Sequence, residues 1–175
     1  DRMGGSTWSR KKAKIRSKIS YLADQLLALY AERANKPGYA FSREDVLEAE
    51  FQKDFPYPYT ESQKRAIADV KADMESPHPM DRLIAGDVGF GKTEIAFNAA
   101  FKAILDHKQV VFLCPTTILS NQHYQVAEKR FRHFGANIAV YNRFVPKDKQ
   151  KQIQEDLKNG KIDMVIGTHA LLSDK

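Results

Sequence analysis

The first thirty residues contain a narrow stripe of large apolar side chains with helical period. This apolar stripe consists of Ile15, Ile19, Leu22, Leu26 and Leu29. Its alternating spacings of four and three residues are typical of a helix that packs on one neighbour. We predict a long helix over residues 9–33, ended by Pro37 and Gly38. We expect the stripe to pack on the rest of the chain or on a partner, because soluble proteins seldom expose large apolar patches.

Two shorter helices are predicted between residues 42 and 75. The apolar positions of the first recur at every fourth residue: Leu47, Phe51 and Phe55. The second begins at Thr60 and Gln63, which have the spacing of a capping box. Its inward residues are predicted to be Ile67, Val70 and Met74. Prolines after each pattern end both helices.

From residue 81 onwards, short apolar runs alternate with helical patterns. The predicted strands cover residues 83–85, 110–114, 138–141 and 162–166, and the predicted helices cover residues 92–106, 118–134 and 146–159. The strand runs are continuously apolar rather than alternating, which favours parallel strands that helices cover on both faces. The sequence therefore predicts an α/β fold built on a parallel sheet.

Composition narrows the class of protein. The 175 residues are 42% hydrophobic and 29% charged, which supports a packed core and excludes a disordered chain. The longest apolar run has six residues, 26–31, far short of the roughly 20 that span a bilayer, so we predict no membrane segment. The single cysteine, Cys114, fits a reducing compartment, and we expect the cytoplasm. Because the chain does not begin with Met, we expect a piece of a longer protein.

The formal net charge of +6 is concentrated at the amino terminus. Residues 1–38 hold nine Lys or Arg and three Asp or Glu, whereas residues 39–175 hold nineteen of each kind. A basic helix face is either a solvated surface or a surface for nucleic acid or an acidic partner. Both interpretations stay open from the sequence.

One motif carries recognisable chemistry. Residues 86–93 read GDVGFGKT and match the phosphate-binding pattern G-x-x-x-x-G-K-[ST], placed between a predicted strand and a predicted helix. In such a loop the backbone amides and the helix N-terminus surround phosphates. Lys92 would reach the β- and γ-phosphates as a catalytic residue, and Thr93 would also act in catalysis by ligating Mg²⁺. The predicted nucleotide-binding residues here are Gly86, Asp87, Val88, Gly89, Phe90, Gly91, Lys92, Thr93 and Glu94.

Small hydroxyl residues follow two of the predicted strands. Thr116 and Thr117 come after the second strand, and Thr168 with His169 comes after the fourth. These loops lie at the carboxyl edge of a parallel sheet, where open α/β folds bind ligands. Hydroxyls and helix amides there can hold nucleic-acid phosphates without reading bases. Helix capping by the threonines is the alternative.

Several segments together resemble the transcription-repair coupling factors, a family of bacterial superfamily 2 DNA translocases. The segments are FPY at 55–57, MDRL at 80–83, GDVGFGKTE at 86–94, PTTILSNQHY at 115–124, NRF at 142–144 and GKIDMVIGTHALL at 160–172. RecG-type branch-migration helicases share part of this pattern and remain an enzymatic alternative. A non-enzymatic linker or regulatory module, centred on the basic helix, is a second alternative.

The resemblance implies a RecA-like P-loop ATPase lobe that uses ATP and Mg²⁺ and moves on double-stranded DNA. It implies that Phe55 lies against the adenine and that Gln63 reads the adenine edge, whereas a core aromatic residue and a capping-box partner are the plainer interpretations. The DNA-facing residues that it implies are Thr116, Thr117, Gln122, Arg143, Thr168 and His169. RNA polymerase and excision-repair proteins would bind through domains outside this segment.

The resemblance also divides the chain. Residues 1–38 would be a basic linker helix, residues 39–80 a helical lead-in with a Q-type nucleotide motif, and residues 81–175 the N-terminal part of the ATPase lobe, truncated before the acidic Walker B box. Since that box normally holds Mg²⁺ and positions water, we expect the segment alone to hydrolyse ATP negligibly.

Overall fold

The computed structural model describes residues 6–43 and 46–172, so the outer limits of the predicted domains, at residues 1 and 175, lie outside the described part. A long amino-terminal helix precedes an α/β lobe. The elements are α1 Ser6–Asn35, α2 Val46–Lys53, α3 Glu61–Met74, α4 Lys92–Leu105, β1 Val110–Leu113, α5 Thr117–Phe131, β2 Ile138–Tyr141, α6 Lys147–Lys158 and β3 Met164–Gly167. Short 3₁₀ turns, Arg132–Phe134 and His169–Leu172, follow α5 and β3.

The three strands form a parallel sheet in the order β1-β3-β2. The central strand β3 is buried along its whole length, and Met164 and Ile166 have no exposed surface. Helices α5 and α6 connect the strands, as parallel pairing requires. The predicted α/β fold with a parallel sheet and helices is therefore confirmed.

The predicted strand at residues 83–85 is wrong. This segment has no strand conformation, and Leu83 is 91% exposed. A strand exists only where a neighbouring strand accepts and donates its backbone hydrogen bonds. Among the described residues β1 pairs with β3 alone, and a cavity of about 410 Å³ lies between Ile84, α4 and Val110 of β1. The apolar run alone gave no information about this missing neighbour.

Two apolar clusters hold the helices to the sheet. The larger one contains Phe51, Phe97, Phe101 and Phe131, each at most 2% exposed. The smaller one confirms the predicted inward face of α3 and contains Ile67, Val70 and Met74. The short helix α2 ends at Lys53, so Phe55 lies in the following turn rather than on a helical aromatic face as predicted.

Helix α4 also buries a charged side chain, Lys102, which is 1% exposed. Its Nζ atom lies 3.0 Å from Glu48 Oε1 and 2.9 Å from Glu75 Oε1, and it donates a 2.6 Å hydrogen bond to the Ser42 carbonyl oxygen. Burial alone would lower the pKa of Lys102, but the hydrogen bonds to Glu75 and Glu48 outweigh burial and raise it. This buried cation therefore joins α4 to α2, to the end of α3 and to residue 42.

Helix α1 does not pack along the lobe, so the prediction that its apolar stripe packs on the rest of the chain is wrong for the described residues. The stripe residues are 54–61% exposed. The carboxyl-terminal end of α1 meets the lobe, where Arg33 donates to Asp81 Oδ2 at 2.7 Å and to the Met80 carbonyl oxygen at 2.8 Å. Leu26 and Leu29 border a cavity of about 520 Å³ that Pro79 also lines. A hydrogen bond from Gly38 N to Pro77 O joins the segment after α1 to the turn after α3. Packing of the stripe on a partner stays a prediction.

Within the described residues, no helix combines the length and the apolar character needed to cross a membrane, α1 included.

Candidate nucleotide site and sheet edge

The predicted phosphate-binding loop is a tight turn in front of α4. Gly89 and Gly91 have φ angles of +84° and +75°, which residues with a side chain seldom adopt. A Cβ atom on Gly91 would also lie 2.5 Å from the Gln63 Nε2 atom. The glycine pattern therefore has a conformational cause at both positions, and a side chain at Gly91 would also require the Gln63 amide group to move.

The Lys92 ammonium group lies over this loop. Its Nζ atom donates hydrogen bonds of 2.6 Å to the carbonyl oxygens of Gly86 and Asp87. Helix α4 begins at Lys92 itself, so the positive end of the helix dipole lies at the loop, and the amides of Lys92 and Thr93 precede the first helical hydrogen bond, which Glu94 N donates to the Gly91 carbonyl oxygen at 3.0 Å. Thr93 follows in the same first turn. An ammonium group, free amides and a helix N-terminus together form a site suited to phosphate.

The structure brings Gln63 to the loop. Its Nε2 atom donates a 3.0 Å hydrogen bond to the Phe90 carbonyl oxygen. Its Oε1 atom accepts a 2.9 Å hydrogen bond from the Thr60 backbone amide, which completes the predicted capping box of α3. The capping interpretation of Gln63 is thus confirmed, and the same side chain also fixes the loop against α3.

Phe55 is connected to the phosphate-binding loop through Tyr59. Its ring stacks on Tyr59 with a centroid distance of 5.0 Å and contacts the exposed Tyr57 edge to face at 5.6 Å. The Tyr59 hydroxyl donates a 2.6 Å hydrogen bond to Glu94 Oε1, in the first turn of α4. Phe55, Tyr59 and Glu94 therefore form a chain of contacts from the turn after α2 to the phosphate-binding loop.

Glu94, which the sequence analysis assigned to the nucleotide, has a carboxylate that protein groups surround. It is 6% exposed and accepts hydrogen bonds from Arg130 Nε at 3.2 Å and from Arg130 Nη2 at 2.8 Å. Asn98 Nδ2 donates to it as well, at 3.1 Å. Burial and the hydrogen bond to Glu94 raise the pKa of Tyr59 to about 12, so the Tyr59 hydroxyl remains protonated and keeps donating.

The carboxyl ends of the strands lie level with one another. Leu113 of β1 and Tyr141 of β2 both pair with Gly167 of β3, so the loops after all three strands begin at one edge of the sheet. This sheet edge carries the residues predicted to face DNA. Thr116, Arg143 and His169 are exposed there, and Thr117 and Thr168 are half-buried. Gln122 is exposed one turn further along, in α5.

Thr116 also has the structural role that was the alternative interpretation. Its side chain accepts a hydrogen bond from the Leu119 backbone amide at 3.3 Å and caps α5. This hydrogen bond uses one acceptor site of the hydroxyl group, and Thr116 is still exposed at the sheet edge. Both interpretations of this threonine are therefore compatible.

A buried asparagine holds the loop that carries Arg143. Asn142 is 1% exposed and donates 3.0 Å hydrogen bonds to Ser120 Oγ and Asn121 Oδ1 at the start of α5. Its own Oδ1 atom accepts from the Phe144 amide at 3.0 Å. The Arg143 guanidinium group lies 5.0 Å from the Phe144 ring. Asn142 thus fixes the arginine loop to the first turn and a half of α5, the helix that Thr116 caps.

Sequence reasoning missed Tyr59, Arg130 and Asn142 as site residues. Arg130 lies three residues after the buried Ala127 and next to the buried Phe131, so its place on the inward face of α5 was a usable signal. Asn142 directly follows a predicted strand, where a buried polar side chain is uncommon. Neither position identifies its partner, because the partners lie 21 to 79 residues away in sequence.

The family model for DEAD/DEAH box helicases matches residues 60–175. The transcription-repair-coupling factor of Bacillus subtilis (strain 168) is 50% identical over 172 residues, which cover 98% of this chain and 15% of that relative. The factor of Borreliella burgdorferi is 45% identical over 175 residues, covering 100% of this chain and 16% of the relative. The resemblance recognised in the sequence is therefore confirmed, and the chain spans only about 15% of these relatives.

A solved structure shares the fold. A chain of the structure described as RecG bound to a three-way DNA junction has a TM-score of 0.78 and 38% identity, covering 83% of this chain and 20% of that one. The shared region includes most of the lobe described above.

Proposed function

Because the chain belongs to the DEAD/DEAH box helicase family, we propose that it forms the nucleotide-binding part of an ATP-dependent translocase on double-stranded DNA. The observation that carries this proposal is the geometry of the loop, where Lys92 lies over the loop carbonyls and Gln63 fixes the Phe90 carbonyl. The similarity to coupling factors over nearly the whole chain supports the same conclusion.

The loop residues bind and orient the phosphates in this proposal. Lys92 exchanges its loop carbonyls for the β- and γ-phosphate oxygens, and the amides at the start of α4 donate to the same oxygens. The Thr93 hydroxyl is suited to Mg²⁺, a hard cation that takes oxygen ligands, and the ion would supply charge neutralisation for phosphoryl transfer. Glu94 acts on the nucleotide indirectly, because its carboxylate is bound to Arg130 and Tyr59.

The turn after α2 would receive the base. Phe55 offers an aromatic face for the adenine, and Gln63 offers the amide that reads its edge. Both amide atoms of Gln63 already have partners, Phe90 and Thr60. Direct reading of the base therefore requires Gln63 to exchange one of these bonds, and otherwise the residue serves by holding the loop.

The sheet edge would bind the DNA backbone. Arg143 supplies a cation, and Thr116, Thr117, Gln122, Thr168 and His169 supply hydroxyl, amide and imidazole groups, which contact phosphates without reading sequence. Binding through phosphates releases counterions, so the affinity for duplex DNA should fall steeply and log-linearly with salt concentration. An affinity that does not change between low and moderate salt would contradict this assignment.

For the whole protein we propose the activity of the coupling factors: displacement of stalled RNA polymerase and recruitment of excision repair in the cytoplasm, through domains outside this segment. The fold similarity to RecG supports a fork-remodelling helicase as the second candidate. Release of a stalled RNA polymerase from its template, compared with regression of a synthetic fork by the same preparation, separates the two activities.

Steady-state ATP turnover of the full-length protein, with and without duplex DNA, tests the nucleotide assignment. Lys92→Ala should abolish turnover at unchanged thermal stability, because the Lys92 side chain is exposed and its ammonium group bonds to loop carbonyls. Lys151→Ala, an exposed lysine of α6, is the matched control and should turn over ATP normally. DNA-stimulated turnover that survives Lys92→Ala would refute the assignment. The 175-residue segment alone should show no turnover above that of its own Lys92→Ala variant.

A further inference from the structure

We propose that Arg130 is a positioning residue for the nucleotide base. It fixes the turn at residues 54–57, here called the base turn, to the first turn of α4. The inference rests on the proposed function, because it gives the base turn a role in nucleotide binding. It concerns a residue on α5, outside both the phosphate-binding loop and the sheet edge.

Arg130 binds both sides of this junction. On the α4 side, its Nε and Nη2 atoms donate to the two carboxylate oxygens of Glu94. On the base-turn side, Nη2 donates to the Phe51 carbonyl oxygen, and Nη1 donates to Asp54 Oδ2 at 3.3 Å. One planar guanidinium group therefore joins the end of α2 and the base turn to the helix that begins at the phosphate-binding loop.

Aromatic contacts reinforce this position. The guanidinium carbon of Arg130 lies 3.8 Å from the centroid of the Phe51 ring and 5.6 Å from that of Phe55. A desolvated guanidinium group over an aromatic face is attracted by the ring quadrupole. Phe51 and Phe55 belong to the segment that Arg130 also holds through hydrogen bonds, so the orientation of the base turn depends on this side chain.

The geometry separates the base from the phosphates. Lys92 and Gln63 make the hydrogen bonds that shape the phosphate-binding loop. None of these hydrogen bonds involves Arg130. Loss of the base-turn contacts should therefore weaken binding of a nucleotide with its base, and it should spare a ligand that consists of phosphates alone. If Arg130 had a purely structural role, its replacement would lower the fraction of folded protein and would weaken the binding of both ligands equally.

Arg130→Lys is the variant of choice. Lysine carries a single ammonium group, which keeps the buried Glu94 carboxylate paired but does not reproduce the planar fork that also reaches Phe51 and Asp54. Asp54→Asn is the second variant, because Asp54 is 43% exposed and its replacement weakens the base-turn side without unpairing Glu94. Arg132→Lys, an exposed arginine two residues further along, is the matched control.

The experiment measures equilibrium dissociation constants of the full-length protein for ADP, GDP and inorganic tripolyphosphate with Mg²⁺. For Arg130→Lys we expect the ADP constant to rise about tenfold, the preference for ADP over GDP to shrink, and the tripolyphosphate constant to stay within about twofold. Asp54→Asn should change the ADP constant in the same direction by a smaller factor, and Arg132→Lys should match the wild type.

Two results would overturn the inference: equal weakening of all three ligands by Arg130→Lys, or unchanged ADP binding in both Arg130→Lys and Asp54→Asn. If Arg130→Lys does not fold, Asp54→Asn alone decides between these outcomes. The proposed function fails in a different way, because wild-type protein would then bind ADP no more tightly than Lys92→Ala does. Tight ADP binding that needs Lys92 but ignores Arg130 and Asp54 refutes only the positioning role.

Discussion

Asn142→Asp tests whether buried hydrogen bonds behind the sheet edge position Arg143. The substitution keeps the shape of the side chain and removes both of its donated hydrogen bonds, which reach Ser120 Oγ and Asn121 Oδ1. The new carboxylate oxygen would face the Asn121 carbonyl oxygen, an acceptor. Ser120 already donates to the Thr117 carbonyl oxygen at 2.9 Å, so it rescues the carboxylate only by giving up that bond.

The expected loss follows from these contacts. Two lost hydrogen bonds cost about 1 kcal/mol each, and a poorly paired carboxylate at a position that is 1% exposed adds a desolvation cost of about 1–3 kcal/mol. The free energy of unfolding should fall by about 3–5 kcal/mol near neutral pH. Desolvation raises the pKa of the new carboxyl group in the folded state, so the loss should shrink as the pH falls and the group becomes protonated.

Urea unfolding of the 175-residue chain at pH 7 and pH 5 measures this loss, and duplex DNA binding by the full-length protein measures its effect on Arg143. We expect weaker DNA binding even where the variant is fully folded. Gln125→Glu places the same chemical change on an exposed position of α5 and serves as the control. A stability loss below about 1 kcal/mol, or a loss that grows as the pH falls, would refute the reasoning.

Four further substitutions test the packing. Lys102→Met should lower the free energy of unfolding by about 3–5 kcal/mol in urea, because it takes one cation from the buried Glu48 carboxylate; a loss under about 1 kcal/mol would show that the pair is screened. Gly167→Ala should lower the melting temperature, because its Cβ atom would collide with the last carbonyl oxygen of β2, at a cost of about 1–3 kcal/mol or more, and an unchanged temperature would contradict the register. Leu22→Ala and Leu26→Ala should each change unfolding by less than about 1 kcal/mol, since both side chains are more than half exposed, whereas losses of about 2–5 kcal/mol would show that the stripe is buried.

Local patterns predicted the elements that depend on local causes. The capping box at Thr60 and Gln63 has the predicted contacts, and the strand at residues 138–141 has the predicted bounds. The predicted strand at 83–85 failed because strand formation depends on a neighbour that no local pattern encodes. The apolar stripe of α1 predicted the helix correctly but not its packing, because helical period says which side chains share a face and not what covers them.

The residues of the candidate site show the same difference between local and distant causes. The glycines of the phosphate-binding loop are visible in sequence because Gly89 and Gly91 need φ angles that other residues avoid. Arg130 and Asn142 act on residues far away in the chain, so their partners emerge only when helix α5 and strand β2 are placed in three dimensions. Glu94 belongs to the local motif, yet its carboxylate is bound to a distant arginine.

Displacement of a triplex-forming oligonucleotide from duplex DNA by the full-length protein tests the central claim most directly, because it needs ATP binding, DNA binding and movement together. We predict that the wild-type protein displaces the third strand only with ATP and Mg²⁺, and that Lys92→Ala leaves it in place at equal protein concentration and unchanged thermal stability. Equal displacement by the wild-type protein and Lys92→Ala, or displacement without ATP, would contradict the assignment of residues 86–93 as the nucleotide site of a DNA translocase.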